Sequence, residues 1–217
     1  MLFSAGLDSA VLLADAARRG PALPLYIVTG LAWEAEERGM ARRLLSHAPF
    51  AGVVQPMVEL SFDMRDVYPP QHWAVQGTPP AFDTPDEDVF IEGRNVILLS
   101  KAAVYAHAHG VHTLLMGQLA GNPFPDATPE FLQAIERALS LGLGAEVRVE
   151  TPLSSMHKAD VIRLGMELGV PFERTLSCMQ PAEGRHCGRC SKCRERRDGF
   201  REAGVPDPTP YRQTPLR

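Results

Sequence analysis

Short apolar runs alternate with longer helical patterns along this chain. The apolar runs have the length and the β-branched content of buried strands, and they predict strands at residues 2–3, 24–29, 53–60, 113–116 and 147–150. Stretches with helical spacing, late basic residues and glycine stops predict helices at residues 10–19, 34–45, 95–109, 129–141 and 159–168. Residues 61–92 and 118–128 show no sustained period and are predicted to be loops, and a loop as long as the first usually serves function.

This order of elements predicts an α/β fold with a mostly parallel sheet and helices on both faces. In such sheets ligands bind beyond the carboxyl ends of the strands. The loops after Phe3, Thr29, Leu60 and Met116 are therefore expected to line one site.

Composition narrows the class of protein. The 217 residues are 45% hydrophobic and 22% charged, the balance of a soluble globular chain. A run of about 18 apolar residues is absent, so no membrane span is expected, and the N-terminus lacks the features of a signal peptide, so a cytoplasmic location is expected. The net charge of -4 makes nucleic acid an unexpected partner, although a local basic patch could still bind it.

The segment from Ser4 to Ser9 lies between a strand stub and a helix. Small residues there let backbone N–H groups surround an anion, and the helix N-terminus adds positive potential. A lysine does not follow Gly6, so this is not the phosphate loop of kinases and GTPases. Asp8 is expected to hold Mg²⁺ or to brace the loop, while the plainer interpretation is an ordinary turn with an Asp cap.

All four cysteines lie within sixteen residues near the C-terminus. Clustered thiols in a cytosolic chain indicate a metal rather than disulfides. Four thiolates satisfy tetrahedral Zn²⁺ and leave no open position, which predicts a structural site; an iron–sulfur cluster is the alternative, and His186 is a spare candidate ligand. The predicted metal ligands are Cys178, Cys187, Cys190 and Cys193.

Basic residues surround these cysteines. One interpretation is a solvated face that offsets the negative metal–thiolate unit. The other is that some of the arginines grip a carboxylate or phosphate at the mouth of the active site. The set comprises Arg185, Arg189, Lys192, Arg194, Arg196, Arg197 and Arg201.

The Ser4–Ser9 segment resembles the S-G-G-x-D-S loop of the PP-loop (N-type) ATP pyrophosphatases, with Ala5 in place of a glycine. Enzymes of that family cleave ATP between the α and β phosphates and leave AMP on the substrate. The departure at Ala5 requires a backbone compatible with a Cβ. The resemblance implies ATP binding by Phe3, Ser4, Ala5, Gly6, Leu7, Asp8, Ser9, Ala10, Val11, Leu12, Leu13, Arg94 and Asn95.

The C-terminal part carries a narrower resemblance, to the 7-cyano-7-deazaguanine synthase family of PP-loop enzymes. The segments that carry it are T-L-S-C at 175–178, H-C-G-x-C-x-x-C at 186–193, and G-V-x-D-P-T-x-Y at 204–211. Upstream, G-R-N at 93–95, F-P-D-x-x-x-E-F at 124–131 and T-P-L at 151–153 with Lys158 also match. This resemblance implies a PP-loop domain at residues 1–175 and a zinc-binding extension at 176–217, packed on the same domain.

The resemblance implies that ATP adenylates the carboxylate of 7-carboxy-7-deazaguanine, that ammonia displaces AMP, and that a second adenylation gives the nitrile. Mg²⁺ would accompany ATP, and the chain would act as a homodimer. Catalytic roles are implied for Ser4, Asp8, Ser9 and Lys158, and substrate contacts for Trp33, Gly117, Asn122 and Asp126.

Loops near the expected substrate depart from the family pattern. Residues 29–33 and 120–123 lack the family's Gln, His and Asp. Three alternatives stay open: a related ligase or amide synthetase acting on another carboxylate, a tRNA-thiolating PP-loop enzyme, and a non-catalytic zinc-stabilised binding module. Cysteines outside the cluster, which thiolation would need, are absent from the sequence.

Overall fold

The computed structural model describes residues 1–213, in which helices and strands alternate. The strands are β1 (Leu25–Val28), β2 (Val58–Ser61), β3 (Thr113–Leu115) and β4 (Arg148–Glu150). The helices are α1 (Leu7–Arg19), α2 (Glu34–Leu45), α3 (Trp73–Gln76), α4 (Arg94–Ala108), α5 (Pro129–Leu143), α6 (Lys158–Glu167) and α7 (Ser191–Ala203). Short 3₁₀ turns occur at Asp86–Val89, Pro125–Ala127 and Phe172–Arg174.

The N-terminal segment joins two parallel strand pairs into one sheet. β1 pairs with β2, and β3 pairs with β4, both in parallel. Between them, the Phe3 N–H donates to the Leu25 carbonyl at 2.9 Å, and the Leu2 N–H donates to the Leu115 carbonyl at 2.9 Å. The order across the sheet is therefore β2, β1, the N-terminal stub, β3 and β4, which confirms the predicted parallel α/β architecture.

Two clusters of buried side chains hold helices against this sheet. The larger cluster contains apolar side chains of α1, α2, α6 and α7, such as Leu12, Leu44, Ile162 and Phe200. The second contains side chains of α4 and α5 packed on Leu25, Ile27 and Leu114 of the strands. The sheet is thus covered on both faces, and its carboxyl edge is left for a site.

Most predicted elements are present with small shifts at their ends, but the second strand is misplaced. The predicted strand at 53–60 is observed only at Val58–Ser61, because turns closed by Val53 N and Val54 N on the Phe50 carbonyl occupy its first residues. Pro56 lies before the strand. The predicted loop at 61–92 contains α3 and a 3₁₀ turn.

The helix α7 was not predicted, and it is the last helix among the described residues. Cys190 is its N-cap, and Gly204 ends it in the left-handed conformation. Arg196 on α7 is 1% exposed and donates to the Phe172 carbonyl at 2.7 Å and to Thr175 Oγ1 at 2.8 Å. This buried guanidinium ties α7 to the segment that follows α6. The last four residues of the predicted extension at 176–217 lie outside the described residues.

None of the helices in residues 1–213 is long and apolar enough to cross a membrane.

Candidate functional site

A cavity of about 320 Å³ opens beyond the carboxyl ends of the central strands. Phe3, Trp33 and Gly117 line it, so three of the four loops expected to meet here do so. Residues directly after Leu60 do not contribute. The long segment after β2 reaches the cavity only further on, through Trp73, Val89 and Ile91.

The Ser4–Ser9 loop forms one wall of this cavity, and several of its polar groups are only loosely engaged. The Ser4 and Ser9 hydroxyls are 3.4 Å apart, and the Gly6 N–H is 3.4 Å from Ser4 Oγ. These distances exceed those of good hydrogen bonds. The Ser9 hydroxyl donates to the Gly6 carbonyl at 3.0 Å. The loosely engaged donors are therefore the Ser4 hydroxyl and backbone N–H groups, which lie at the N-terminus of α1, where an anion is favoured.

Ala5 holds the turn of this loop in an unusual backbone conformation. Its φ of 57° lies in the left-handed region, which costs a residue with a Cβ about 1–2 kcal/mol. The Ala5 side chain is fully buried, and its carbonyl accepts from Leu176 N at 2.8 Å. Packing and this hydrogen bond therefore hold the conformation that a glycine would adopt without strain.

Space for a ligand remains beside the loop because residue 117 has no side chain. A Cβ built on Gly117 would lie 3.5 Å from Ser9 N, in the region where an anion would approach the N-terminus of α1. The loose loop, the helix N-terminus and this gap together fit the phosphates of a nucleotide.

Lys158 is the first residue of α6, and its side chain contacts Asp8 on α1. Its Nζ lies 2.6 Å from Asp8 Oδ2 and 2.8 Å from Glu195 Oε1, and Lys192 Nζ lies 2.7 Å from Glu195 Oε2. Burial acts to lower the pKa of Lys158, but the two carboxylates outweigh it and raise that pKa. All four side chains line the cavity, so α7 contributes Lys192 and Glu195 to the same site as the loop.

A second polar group lies deep in the cavity, on β1 and α2. The Tyr26 hydroxyl donates to Glu37 Oε2 at 2.7 Å, and both residues are buried. Burial raises the pKa of Glu37 to about 7; Arg94 and Tyr26 favour its ionised form, and Glu34 opposes it. The Nε of Arg94 is buried and has no hydrogen-bond partner among residues 1–213.

Aromatic rings flank this polar group. Trp33 and Trp73 stack with their ring centroids 5.7 Å apart and their planes 14° apart. Both rings line the cavity with Val89 and Ile91. This part of the cavity therefore offers flat apolar surface beside a few polar atoms, which suits a planar heterocycle.

The four cysteines form one buried cluster whose sulfur atoms can hold a metal ion. Cys190 Sγ lies 3.5 Å from Cys193 Sγ and 3.9 Å from Cys178 Sγ, and Cys187 Sγ lies 3.8 Å from Cys193 Sγ. All four sulfurs lie within 4.8 Å of one another. The spare candidate His186 instead accepts from Ser177 N at 3.1 Å through Nε2. The candidate metal ligands are thus all thiols.

Several predicted contact residues lie away from the cavity. Ala10, Val11, Leu12 and Leu13 are fully buried in the core, so their side chains support the loop instead of reaching a ligand. The Asn122 side chain accepts from Phe124 N at 3.0 Å, and this residue is absent from the cavity lining.

Asp126 also lies outside the cavity lining, and its contacts are made with α4. Its Oδ2 accepts from Asn95 N at 2.9 Å, and Asn95 Nδ2 donates to its carbonyl at 3.1 Å. Asp126 therefore caps the N-terminus of α4 and fixes the residues that face the cavity there, Arg94 and Asn95.

The basic residues around the cysteines separate into different environments. Arg197 and Arg201 pair with Asp198, as expected of a surface face, whereas Arg196 is buried and Lys192 lines the cavity. Tyr26, Glu37 and Glu195 were not predicted as site residues. Glu37 looked like one of several first-turn acids on α2, and Glu195 lay in a segment without a recognisable period.

The sequence is similar to one protein family and to curated proteins from several bacteria. Residues 1–204 match the family model described as queuosine biosynthesis protein QueC. A 7-cyano-7-deazaguanine synthase of Anaeromyxobacter dehalogenans (strain 2CP-C) is 37% identical over 220 residues, covering 97% of this chain and 94% of the relative. One from Xanthomonas campestris pv. campestris (strain B100) is 36% identical over 219 residues, covering 97% of this chain and 96% of the relative.

Proposed function

The chain belongs to the QueC family of queuosine biosynthesis proteins, and on that premise we propose that it is an ATP-dependent ligase that makes 7-cyano-7-deazaguanine. Its substrates are 7-carboxy-7-deazaguanine, ammonia and ATP, and its other products are AMP and pyrophosphate. The observation that carries the proposal is one cavity that joins an anion-binding helix N-terminus, a half-buried lysine and a flat aromatic wall.

The chemistry follows from the poor leaving ability of a carboxylate oxygen. The acid attacks the α-phosphorus of ATP, pyrophosphate departs, and ammonia then displaces AMP to leave an amide. The amide oxygen attacks the α-phosphorus of a second ATP, so pyrophosphate and one N–H proton leave and an adenylated imidate forms. Loss of AMP and the remaining N–H proton from this imidate leaves the nitrile. Each step needs the reactants held in line and the departing pyrophosphate neutralised.

We assign the phosphate end of this reaction to the loop and its neighbours. Ser4, Gly6 and Ser9 bind pyrophosphate through hydroxyl and N–H donors, supported by the loose hydrogen bonds of the loop. Lys158 supplies a positive charge to the leaving group and is held by Asp8 and Glu195 until phosphate arrives. Arg94 and Asn95 contact nucleotide or acceptor from the N-terminus of α4, and Trp33 and Gly117 shape the acceptor side.

Two metal ions belong to this proposal. Mg²⁺ would accompany ATP and supply positive charge to the phosphates, and Asp8 would hold it through its carboxylate. Zn²⁺ occupies the cysteine cluster. Zn–S bonds of about 2.3 Å in a regular tetrahedron separate the sulfurs by about 3.8 Å, which agrees with the 3.5, 3.8 and 3.9 Å separations of three sulfur pairs. An iron–sulfur cluster places its own core between the thiolates and would hold them further apart.

Further attributes are proposed from the resemblance. We propose a PP-loop domain at residues 1–175 with the extension from residue 176 packed on it, consistent with the seating of α7 against α6. A homodimer, free ammonia as the nitrogen source and a cytoplasmic location complete the proposal. The mass of the protein in solution tests the dimer.

ATP–pyrophosphate exchange tests the proposed activity. Labelled pyrophosphate should enter ATP when 7-carboxy-7-deazaguanine is present and ammonia is absent, because adenylation of the acid is reversible until ammonia attacks. Ser9→Ala is the matched control and should abolish exchange. Exchange with a different carboxylic acid alone would assign the chain to a related ligase, and the proposed substrate would be wrong.

A further inference from the structure

Glu37 is a buried carboxyl group on the wall of a ligand cavity, and the phosphate chemistry makes no use of it. One of its oxygens accepts from the Tyr26 hydroxyl. Trp33 also hydrogen-bonds this carboxyl group. A carboxylate has about four acceptor positions, so these two bonds still leave capacity at a group that lines the cavity. Burying such a group is costly unless its polar atoms are engaged, and a bound ligand would engage them.

The surroundings of Glu37 restrict what that ligand can be. Trp33 and Trp73 supply flat apolar surface, and Arg94 supplies a buried N–H without a partner among the described residues. A planar ring would satisfy the hydrogen-bonding capacity of both residues if it directed N–H donors toward the Glu37 carboxylate and an acceptor oxygen toward the Arg94 N–H. We refer to Tyr26, Trp33, Glu37, Trp73 and Arg94 as the Glu37 subsite.

The two heterocycles of the proposed reaction differ in this respect. A guanine-type ring presents its ring N–H and its 2-amino group side by side, and a carboxylate accepts both in the bidentate manner of an ion pair. Adenine presents an amino group next to an unprotonated ring nitrogen. Its lone pair would face the carboxylate, so Glu37 disfavours adenine and accepts the guanine-type edge.

We propose that Glu37 is the specificity-determining residue for the acceptor, and that it binds the ring N–H and the 2-amino group of a 2-amino-4-oxo pyrrolopyrimidine. Arg94 Nε donates to the oxo group of the same ring, and Tyr26 holds the carboxyl group in place. This inference rests on the proposed function for the identity of the acceptor, but the subsite itself specifies only the edge of the ring.

The test measures binding of 7-deazaguanine and 7-deazahypoxanthine, which differ only in the 2-amino group and carry no carboxylate. Calorimetry at about pH 8, where Glu37 is mostly ionised, should show that the wild-type protein prefers 7-deazaguanine. A hydrogen bond to a charged group contributes about 1.5–3 kcal/mol, so the preference should be about tenfold to a hundredfold. Glu37→Gln should lose that preference and should bind ATP as the wild-type protein does.

Glu36→Gln is the matched control. Glu36 lies on the same helix, but its carboxylate accepts from Glu183 N and Gly184 N outside the cavity lining. This variant should keep the preference for 7-deazaguanine. Equal binding of the two bases by the wild-type protein would overturn the inference, as would a Glu37→Gln variant that keeps the wild-type preference.

The outcome is separable from that of the proposed function. A protein that discriminates the 2-amino group through Glu37 but adenylates no deazapurine acid would retain the subsite and refute the proposed reaction. If the wild-type protein makes the nitrile but Glu37→Gln still discriminates fully between the two bases, the proposed reaction stands and the role of Glu37 is refuted.

Discussion

Gly199→Ala tests whether the metal-bound extension positions the phosphate-binding lysine. Gly199 lies within α7, and a Cβ at this position would lie 2.4 Å from Lys158 Cγ and 3.1 Å from Ile162 Cδ1. Carbon atoms pack favourably at about 3.5–4.0 Å, so the Lys158 side chain must move. The helix itself would gain, since alanine is favoured over glycine in a helix interior by about 0.5–1 kcal/mol.

Overpacking lowers the free energy of unfolding of Gly199→Ala, whereas the better helix propensity of alanine raises it. The rate of AMP formation, in contrast, can only fall. Overpacking costs about 1–3 kcal/mol, so the free energy of unfolding should fall by about 0–2 kcal/mol once the helix gain is subtracted. Misplacing a group by about 1 Å can cost about a hundredfold in rate. We therefore expect single-turnover AMP formation to slow by at least about tenfold, with the affinity for the acceptor little changed.

Gly142→Ala is the control for this experiment. Gly142 lies within α5, and a Cβ there would meet no atom within 4 Å. That variant should be more stable by about 0.5–1 kcal/mol and should form AMP at the wild-type rate. Urea unfolding and rapid-quench measurements on both variants decide the matter. If Gly199→Ala were as stable as Gly142→Ala and equally active, the coupling of α7 to Lys158 would be refuted.

Three further predictions concern the loop, the metal and the buried carboxyl group. Asp8→Ala and Ser9→Ala should abolish AMP formation with an unchanged circular dichroism spectrum, and normal turnover by either would make the loop a plain turn. Purified protein should contain about one Zn²⁺ per chain, and stoichiometric iron in its place would contradict the zinc assignment. The Cys190→Ala variant should lose the metal, stability and AMP formation together, because metal binding contributes folding free energy. Between pH 4.5, the ordinary pKa, and about pH 7, its pKa in the folded protein, Glu37 keeps its proton when folded and loses it when unfolded. The free energy of unfolding of the wild-type protein should therefore fall relative to that of Glu37→Gln as pH rises through this window, by up to about 1.4 kcal/mol per pH unit. A difference in urea unfolding that does not depend on pH would contradict this prediction.

The α/β architecture could be predicted because its signals are local. The helix at Glu34–Leu45 has acids in its first turn, arginines in its last and a buried stripe, and it is observed with the predicted bounds. The strands were found through short apolar runs. The shift of β2 to Val58–Ser61 was not predictable in this way, because the residues before it are equally apolar and only turn closure on Phe50 excludes them from the ladder.

The helix α7 was missed because its stability comes from tertiary contacts. Its sequence is rich in arginine, and its buried face consists of Cys193, Arg196 and Phe200. A buried arginine satisfied by backbone and hydroxyl oxygens has no periodic hydrophobic signal. Hence the contribution of Glu195 to the cavity was also missed, and Lys192 was grouped only with the basic residues around the cysteines.

The predicted site residues lie together where a motif carried the prediction, and they are more scattered elsewhere. The Ser4–Ser9 loop and Lys158 share one cavity, and the four cysteines share one cluster. Asp126 was expected at the substrate, but its contacts are made with Asn95 at the N-terminus of α4, a pairing across 31 residues that spacing does not reveal. Glu37 emerges as a cavity residue only because β1 brings Tyr26 against α2.

The most direct test of the central claim is the product formed by the pure protein from 7-carboxy-7-deazaguanine, ammonium and Mg-ATP. Mass spectrometry should detect 7-cyano-7-deazaguanine together with AMP and pyrophosphate, and the signal should disappear when ammonium is omitted. Accumulation of the amide alone would show an amide synthetase that stops before the second adenylation. AMP release only with an unrelated acid would contradict the proposed function.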